Sequence, residues 1–338
     1  MKPHDWHAQA FRGLLDNRPT LPHALLFSGA RGIGKLAFAR ALARALLCES
    51  ASHGEPACGA CSACAWFDTG SHPDYRQVEP ASEISQAEVE EGEKNEKKEK
   101  KSIIIAIDQI RALTELIALS SHQGHAKVIV IHPAEMMNVS AANALLKNLE
   151  EPPASTYFLL VTHRPQQVLP TIKSRCRHVT LQTPETAVAQ AWLKAQGADE
   201  PALALAQAGG APLLALELDD PEHWGTRAAF LRRLSAPDLQ PIAAAEALRD
   251  IPIPQAVSWL QKWTYDLIYS RHTGCVRYNP DHAQVLKRLG ARFDYLATVR
   301  FHRELVRLQR SVHHPLNPRL FLSQLMIGYC ELAHTTTA

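Results

Sequence analysis

"FSGARGIGKLAF", Phe27 to Phe38, decides how the rest of the chain is read. The apolar run "ALLFS" (Ala24 to Ser28) leads into it, and the segment after it carries apolar residues at Leu36, Ala39, Leu42 and Leu46. Strand, loop and amphipathic helix follow one another in the order a phosphate-binding loop requires. In G-x-x-x-x-G-K-[ST] the glycines let backbone N–H groups curl around phosphates, the lysine reaches the terminal ones, and the helix N-terminus favours their charge. Gly29, Gly34 and Lys35 fill those places. The closing hydroxyl is missing: Leu36 cannot ligate the magnesium that bridges and neutralises phosphates during transfer.

Working outward, "KVIVIH" (Lys127 to His132) and "YFLLVT" (Tyr157 to Thr162) are continuous apolar runs separated by helical pattern. Such alternation predicts a parallel sheet covered on both faces. The acidic pair that should end the first of these strands is also missing. "VIVIHPAEMM" offers His132 and Pro133 at those places, and Glu135 falls beyond the last isoleucine with three residues between, out of register. Two independent losses in the metal-dependent step argue against hydrolysis by this chain. The glycine amides and Lys35 still leave nucleotide binding without turnover open.

Cys48, Cys58, Cys61 and Cys64 form C-x9-C-x2-C-x2-C. Four thiolates at such gaps suit a closed structural zinc site, with no open position for chemistry. An iron–sulfur run would place another cysteine after three residues beyond Cys64, where Asp68 stands. The remaining cysteines, Cys176, Cys275 and Cys330, are isolated and read as packing residues. Between Glu83 and Lys101 the pattern gives way to seven Glu and five Lys, which predicts a disordered charged insertion over about 82–102.

The 338 residues suffice for two or three compact units. With 46% hydrophobic residues but no apolar run of membrane-spanning length and no signal-peptide core, a cytoplasmic protein without membrane contact is expected. A net charge of only +2 means that nucleic-acid contact would have to come from a local patch or a partner. After about residue 180 strand signals stop. Short helices broken by Gly209, Gly210 and Pro212 suggest a small helical unit, and longer ones from about residue 222 a larger one. There Val257, Leu260, Trp263 and Leu267 mark one apolar face, and Phe301, Leu305, Leu308 and Val312 another. Lys287, Arg288, Arg292, Arg300, Arg303, Arg307 and Arg310 read as spread around their helices, as solvated faces rather than a nucleic-acid stripe.

Four stretches together resemble the clamp-loader subunits of bacterial DNA polymerase III, members of the AAA+ family. They are the degenerate phosphate loop, the four-cysteine insertion, "AANALLKNLEEPP" (Ala141 to Pro153) and "RPQQVLPTIKSRCRHV" (Arg164 to Val179). "LNPRLFLSQLM" (Leu316 to Met326) is similar too. The resemblance implies an AAA+ domain over 1–178 holding the zinc module at 48–64, a lid over 179–221 and a collar over 222–338. It implies a hetero-pentameric ring with gamma/tau-type motor subunits and a delta subunit, which uses ATP to open a sliding clamp and place it on primed DNA. Within that ring the chain resembles the rigid member that does not hydrolyse ATP. Ser174-Arg175-Cys176 matches the triplet whose arginine reaches ATP held by the neighbour, and Thr162 matches a sensor of the terminal phosphate. A second sensor, an arginine after a Gly-Ser step, has no counterpart at Gly209-Gly210-Ala-Pro.

Two readings of other classes stand beside it. An active NTPase such as a helicase loader would need an unusual magnesium site. A zinc-containing nucleic-acid module would need basic and aromatic residues around the cysteines, where Trp66 and Phe67 stand among Glu49, Glu55 and Asp68.

Overall fold

The computed structural model describes residues 2–51, 54–80, 104–118, 126–309 and 317–334. The charged run at about 82–102 lies outside them, as do Arg310 and Val312. The chain divides into two compact units, Met1–Pro184 and Glu185–Ala338.

The first unit is the expected parallel α/β layer. Five strands, β1 (Ala24–Ser28), β2 (Tyr75–Val78), β3 (Lys127–Ile131), β4 (Thr156–Thr162) and β5 (Arg177–Thr180), lie in the order β2-β3-β4-β1-β5. All pairings are parallel, with Ala24 opposite Phe158, Ser28 opposite Thr162, and Leu25 opposite Arg177. Every C-terminal strand end therefore emerges on one edge of the sheet. Around it stand α1 (Ala8–Asp16), α2 (Lys35–Leu47), α3 (Ser62–Asp68), α4 (Ile107–Ala118), α5 (Val139–Glu150) and the single turn α6 (Pro170–Lys173).

β1 and β3 are buried at every position, which is why both read as unbroken apolar runs. One core gathers Leu26, Ile129, Ile131, Phe158 and Leu160 under Ile110, Leu113, Leu145 and Leu149. Elsewhere Phe38 of α2 meets Phe27 and Phe11 edge-on, at 5.2 and 5.5 Å between ring centres. The strand that sequence reading passed over is β2. "YRQV" is half-buried and polar because Gln77 accepts from Arg40 Nε (2.7 Å) and from the Tyr75 hydroxyl (2.8 Å).

Among its described residues the second unit is all helical: α7 (Thr186–Ala195), α8 (Pro201–Gln207), α9 (Pro212–Leu218), α10 (Pro221–Leu234), α11 (Pro241–Ala247), α12 (Ile253–Thr273), α13 (Ala283–Arg292), α14 (Tyr295–Leu308) and α15 (Pro318–His334). Proline opens four consecutive helices from α8 to α11, where its fixed φ suits the first turn and its missing N–H costs nothing. α12 supplies Val257, Leu260, Trp263 and Leu267 to the core, as its periodicity indicates. Trp263 Nε1 donates to the Tyr329 hydroxyl (2.8 Å), which donates to Leu234 O (3.0 Å), so the buried polar tips are satisfied. Among the described residues no single helix is long and apolar enough to cross a membrane.

Candidate functional site

The loop Gly29 to Gly34 leaves the C-terminal end of β1 and opens α2, as the motif demands. Gly34 has φ +93°, and a Cβ there would stand 2.4 Å from His4 Cδ2. A Cβ on Gly29 would stand 2.5 Å from Leu181 O. Both glycines are thus fixed by close approach of the chain itself as well as by backbone conformation. Lys35 is buried, and its ammonium donates to the loop's own carbonyls, Gly29 O at 2.9 Å and Ala30 O at 2.5 Å. Burial lowers its pKa to about 8, against an opposing pull from Glu135. From the N-terminal segment, Trp6 Nε1 donates to Ile33 O (3.0 Å) and the His7 ring contacts the same oxygen (2.9 Å). Sequence reading assigned nothing to "HDWH", yet His4, Trp6 and His7 form one wall of the loop.

Behind the loop, the place of the metal-binding acid holds an imidazole pair. His132 Nε2 lies 3.2 Å from His163 Nε2, and His132 Nδ1 lies 3.4 Å from Glu79 Oε1. Burial, reinforced by the charge of Lys35, drives His163 down to about 3, so it is neutral at physiological pH. Burial tends to raise Glu79, but His132, Gln77 and Arg40 together outweigh it and the carboxyl ends up lowered. Glu135 does reach this edge, but Oε1 accepts the backbone N–H groups of His163 (2.9 Å) and Arg164 (3.1 Å) and caps the turn after β4. Thr162 is fully buried at the β4 terminus, and its Oγ1 accepts from Arg164 N (3.1 Å). A hard cation prefers oxygen ligands. Here one oxygen of Glu135 and the Thr162 hydroxyl are engaged in holding turns, and the place of the acid is taken by ring nitrogens.

Arg175 follows α6 and precedes β5, on the opposite edge of the sheet. β1 alone puts about 16 Å between the two edges, at ~3.3 Å per residue. Arg175 is partly exposed, and Glu150 at the end of α5 is its ion-pair partner. The structure therefore brings together Gly29, Gly34, Lys35 and Thr162 and keeps Arg175 apart from them.

The four cysteines also converge. Their sulfur atoms all lie within 4.8 Å of one another, and Cys48 Sγ to Cys61 Sγ is 3.8 Å. Zinc–sulfur bonds of about 2.3 Å in a tetrahedron require edges of about 3.8 Å, so the cluster fits such an ion. Cys48 closes α2 and Cys64 lies in α3, so a bound ion would tie the phosphate-loop helix to the next one. Backbone N–H groups already point at the sulfurs: Ala60 and Cys61 to Cys58 (3.4 Å each), Cys58 to Cys48 (3.3 Å) and Cys64 to Cys61 (3.4 Å). The bonds from Ala60 and Cys61 hold Cys58 down at about 6, favouring the thiolate that a metal needs. Burial pushes Cys64 up to about 12, and a cation would reverse that.

In the helical unit the arginines are not all scattered. Arg300, Arg303 and Arg307 are exposed at i, i+3 and i+7 of α14 and line one surface hollow, because these positions share a face.

Residues 8–185 match the family model described as DNA polymerase III, delta subunit. The chain is 38% identical over 267 residues to DNA polymerase III subunit delta' of Pseudomonas aeruginosa, covering 77% of this chain and 76% of that one. The chain belongs to the delta' subunit family of DNA polymerase III. The Escherichia coli delta' subunit is 33% identical over 260 residues, 75% of this chain and 72% of its own. The tau subunit of the same organism is 35% identical over 154 residues, 46% of this chain and 20% of that one. As a delta' family member, the chain carries its cysteine cluster and Arg175 on a parallel five-stranded sheet whose phosphate loop is followed by leucine.

Proposed function

We propose that this chain is the non-hydrolysing delta' member of the DNA polymerase III clamp loader, a cytoplasmic hetero-pentamer with gamma/tau-type motor subunits and a delta subunit. The ring uses ATP to place a sliding clamp on primed DNA. In this reading residues 1–178 form the AAA+ domain, 179–221 the lid and 222–338 the collar. The four cysteines hold a structural zinc ion. The chain's contribution to chemistry is Arg175, supplied in trans to ATP bound by a neighbour.

One observation carries the reading: Arg175 stands at the edge of the sheet away from the chain's own phosphate loop. An arginine so placed cannot serve its own nucleotide, whereas a neighbour in a ring can present one to it. A guanidinium near the terminal phosphate stabilises charge spreading in the transition state and contributes about 10³ to 10⁵ in rate. Leu36, His132 and the position of Glu135, whose Oε1 holds the turn after β4, support the absence of hydrolysis by the chain itself. Thr162, matched to the sensor position, serves the turn after its own strand.

The test is DNA- and clamp-stimulated ATPase of a loader reconstituted with its motor subunits, with Arg175→Ala beside the unaltered chain. The expected result is no turnover by the isolated chain and a loss of about 10³ or more at the adjoining site in a fully assembled variant. Turnover by the isolated chain, or an assembled Arg175→Ala loader as fast as the original, would overturn it.

A further inference from the structure

Arg175 is retracted. Its Nε donates to Glu150 Oε1 at 2.8 Å and its Nη2 donates to the same oxygen, while Nη1 donates to Thr171 O (3.0 Å) and Ser174 Oγ (3.3 Å). A guanidinium has five N–H donors, so these bonds leave about one for any partner outside the chain. The bond to Thr171 O folds the side chain back over the turn that precedes it, the reverse of an extended reach. Glu150 is itself out of place by the ordinary rule. It is the last residue of α5, where the helix dipole disfavours an anion and Glu151 follows directly. Arg175 compensates that misplacement, and the cost of the carboxylate's position is consistent with a role that needs it there.

We propose that Glu150 is a latch and positioning residue for Arg175. At rest it keeps the guanidinium folded and its charge neutralised. The terminal phosphate of a neighbour's nucleotide, carrying more negative charge than one carboxylate, draws the arginine out. Glu150 thereby sets how readily the neighbouring site fires before the ring reaches its productive geometry. The proposal rests on the reading of Arg175 as a trans-acting arginine. Both partners are partly solvated, at 32% and 50% side-chain exposure, so the latch is weak and shifts rates by about two- to fivefold.

The experiment is steady-state ATPase of the reconstituted loader, with and without primed DNA and clamp, for the unaltered chain, Glu150→Gln, Glu150→Asp, Arg175→Ala and the double variant Glu150→Gln/Arg175→Ala. Glutamine keeps the shape and removes the charge. It should raise DNA-free turnover about two- to fivefold and lower the ratio of stimulated to unstimulated rate by the same factor. Aspartate, which keeps the charge on a shorter arm, should fall between, and it carries the test if the glutamine variant assembles poorly. Without Arg175 the Gln substitution should have no effect, which a merely structural role for Glu150 would not produce. A DNA-free rate unchanged or reduced by Glu150→Gln, while Arg175→Ala is severely impaired, sinks the latch alone. An Arg175→Ala loader as fast as the original sinks the trans-acting arginine with it.

Discussion

The two edges of the parallel sheet are built from the same strands and have opposite characters. At the C-terminal edge nearly every group is turned inward: Lys35 onto the loop carbonyls, Glu135 onto the β4 turn, Thr162 onto Arg164 N, and His132 between His163 and Glu79. At the N-terminal edge Arg175 keeps a guanidinium partly in solvent, held by a carboxylate that is itself half exposed. Recruiting Glu135 Oε1 or the Thr162 hydroxyl to a metal would orphan the backbone N–H groups they accept, which resists conversion to a metal site. A solvated ion pair can be exchanged at small cost. The sheet thus spends its binding capacity inward on one edge and leaves it available on the other.

The largest expected effect sets the edges against each other. Arg175→Ala should lower ATPase at the adjoining site of an assembled loader by about 10³, while Lys35→Ala, on the inward edge, should leave the loader's ATPase within about twofold if it still assembles. A Lys35→Ala loss as deep as that of Arg175→Ala would mean that the inward edge has a part in turnover, and the contrast would break.

Next comes the metal. Zinc content measured on the purified chain should be one ion, and Cys64→Ser should lose it, costing about 4 kcal/mol with a correspondingly lower Tm. The loss should appear in α2 and α3, for example as faster amide exchange, since Cys48 and Cys64 anchor those helices. A chain that purifies without metal and is as stable as one loaded with zinc would remove the staple from this account. Smaller still is Thr162→Val, which deletes the acceptor for Arg164 N without changing shape. It should cost about 1 kcal/mol in thermal or chemical unfolding, with loader ATPase unchanged. A large drop in ATPase would return Thr162 to service as a sensor.

The inward edge was only partly legible in the sequence. β1, β3 and β4 were readable because strands buried on both faces are continuous apolar runs, and the phosphate loop because its glycines have no other reason to be spaced so. β2 was not, since its polar residues bond sideways to Arg40 and leave no periodic signal. The imidazole pair left a trace that could have been used: adjacent strands end in "VIVIH" and "LLVTH", and parallel neighbours bring such terminal residues together. Nothing in the sequence joins Arg175 to Glu150, 25 positions away, nor His4, Trp6 and His7 to the loop. Those contacts depend on chain crossings that periodicity does not encode. The convergence of the four cysteines was legible because their spacing alone restricts where the sulfurs can lie.

The smallest effect probes the inward edge through pH. Burial holds His163 at about 3 in the folded chain, against about 6.5 when unfolded. Between those values the unfolded state binds a proton that the folded state refuses, so stability rises with pH across this window and falls as pH drops from about 6.5 toward 3. Partial solvation of the ring limits the contribution to about 1 kcal/mol at pH 5. His4, His7 and His72 are also lowered, chiefly by burial, and add to the same acid limb. Replacing His163 by Gln should therefore flatten the decline in Tm between pH 6.5 and 5 without abolishing it. If His163→Gln steepens the decline instead, the ring is charged in the folded state. The C-terminal edge would then hold a cation poised beside Lys35 rather than a closed neutral network, and its contrast with the Arg175 edge would narrow to a difference of exposure alone.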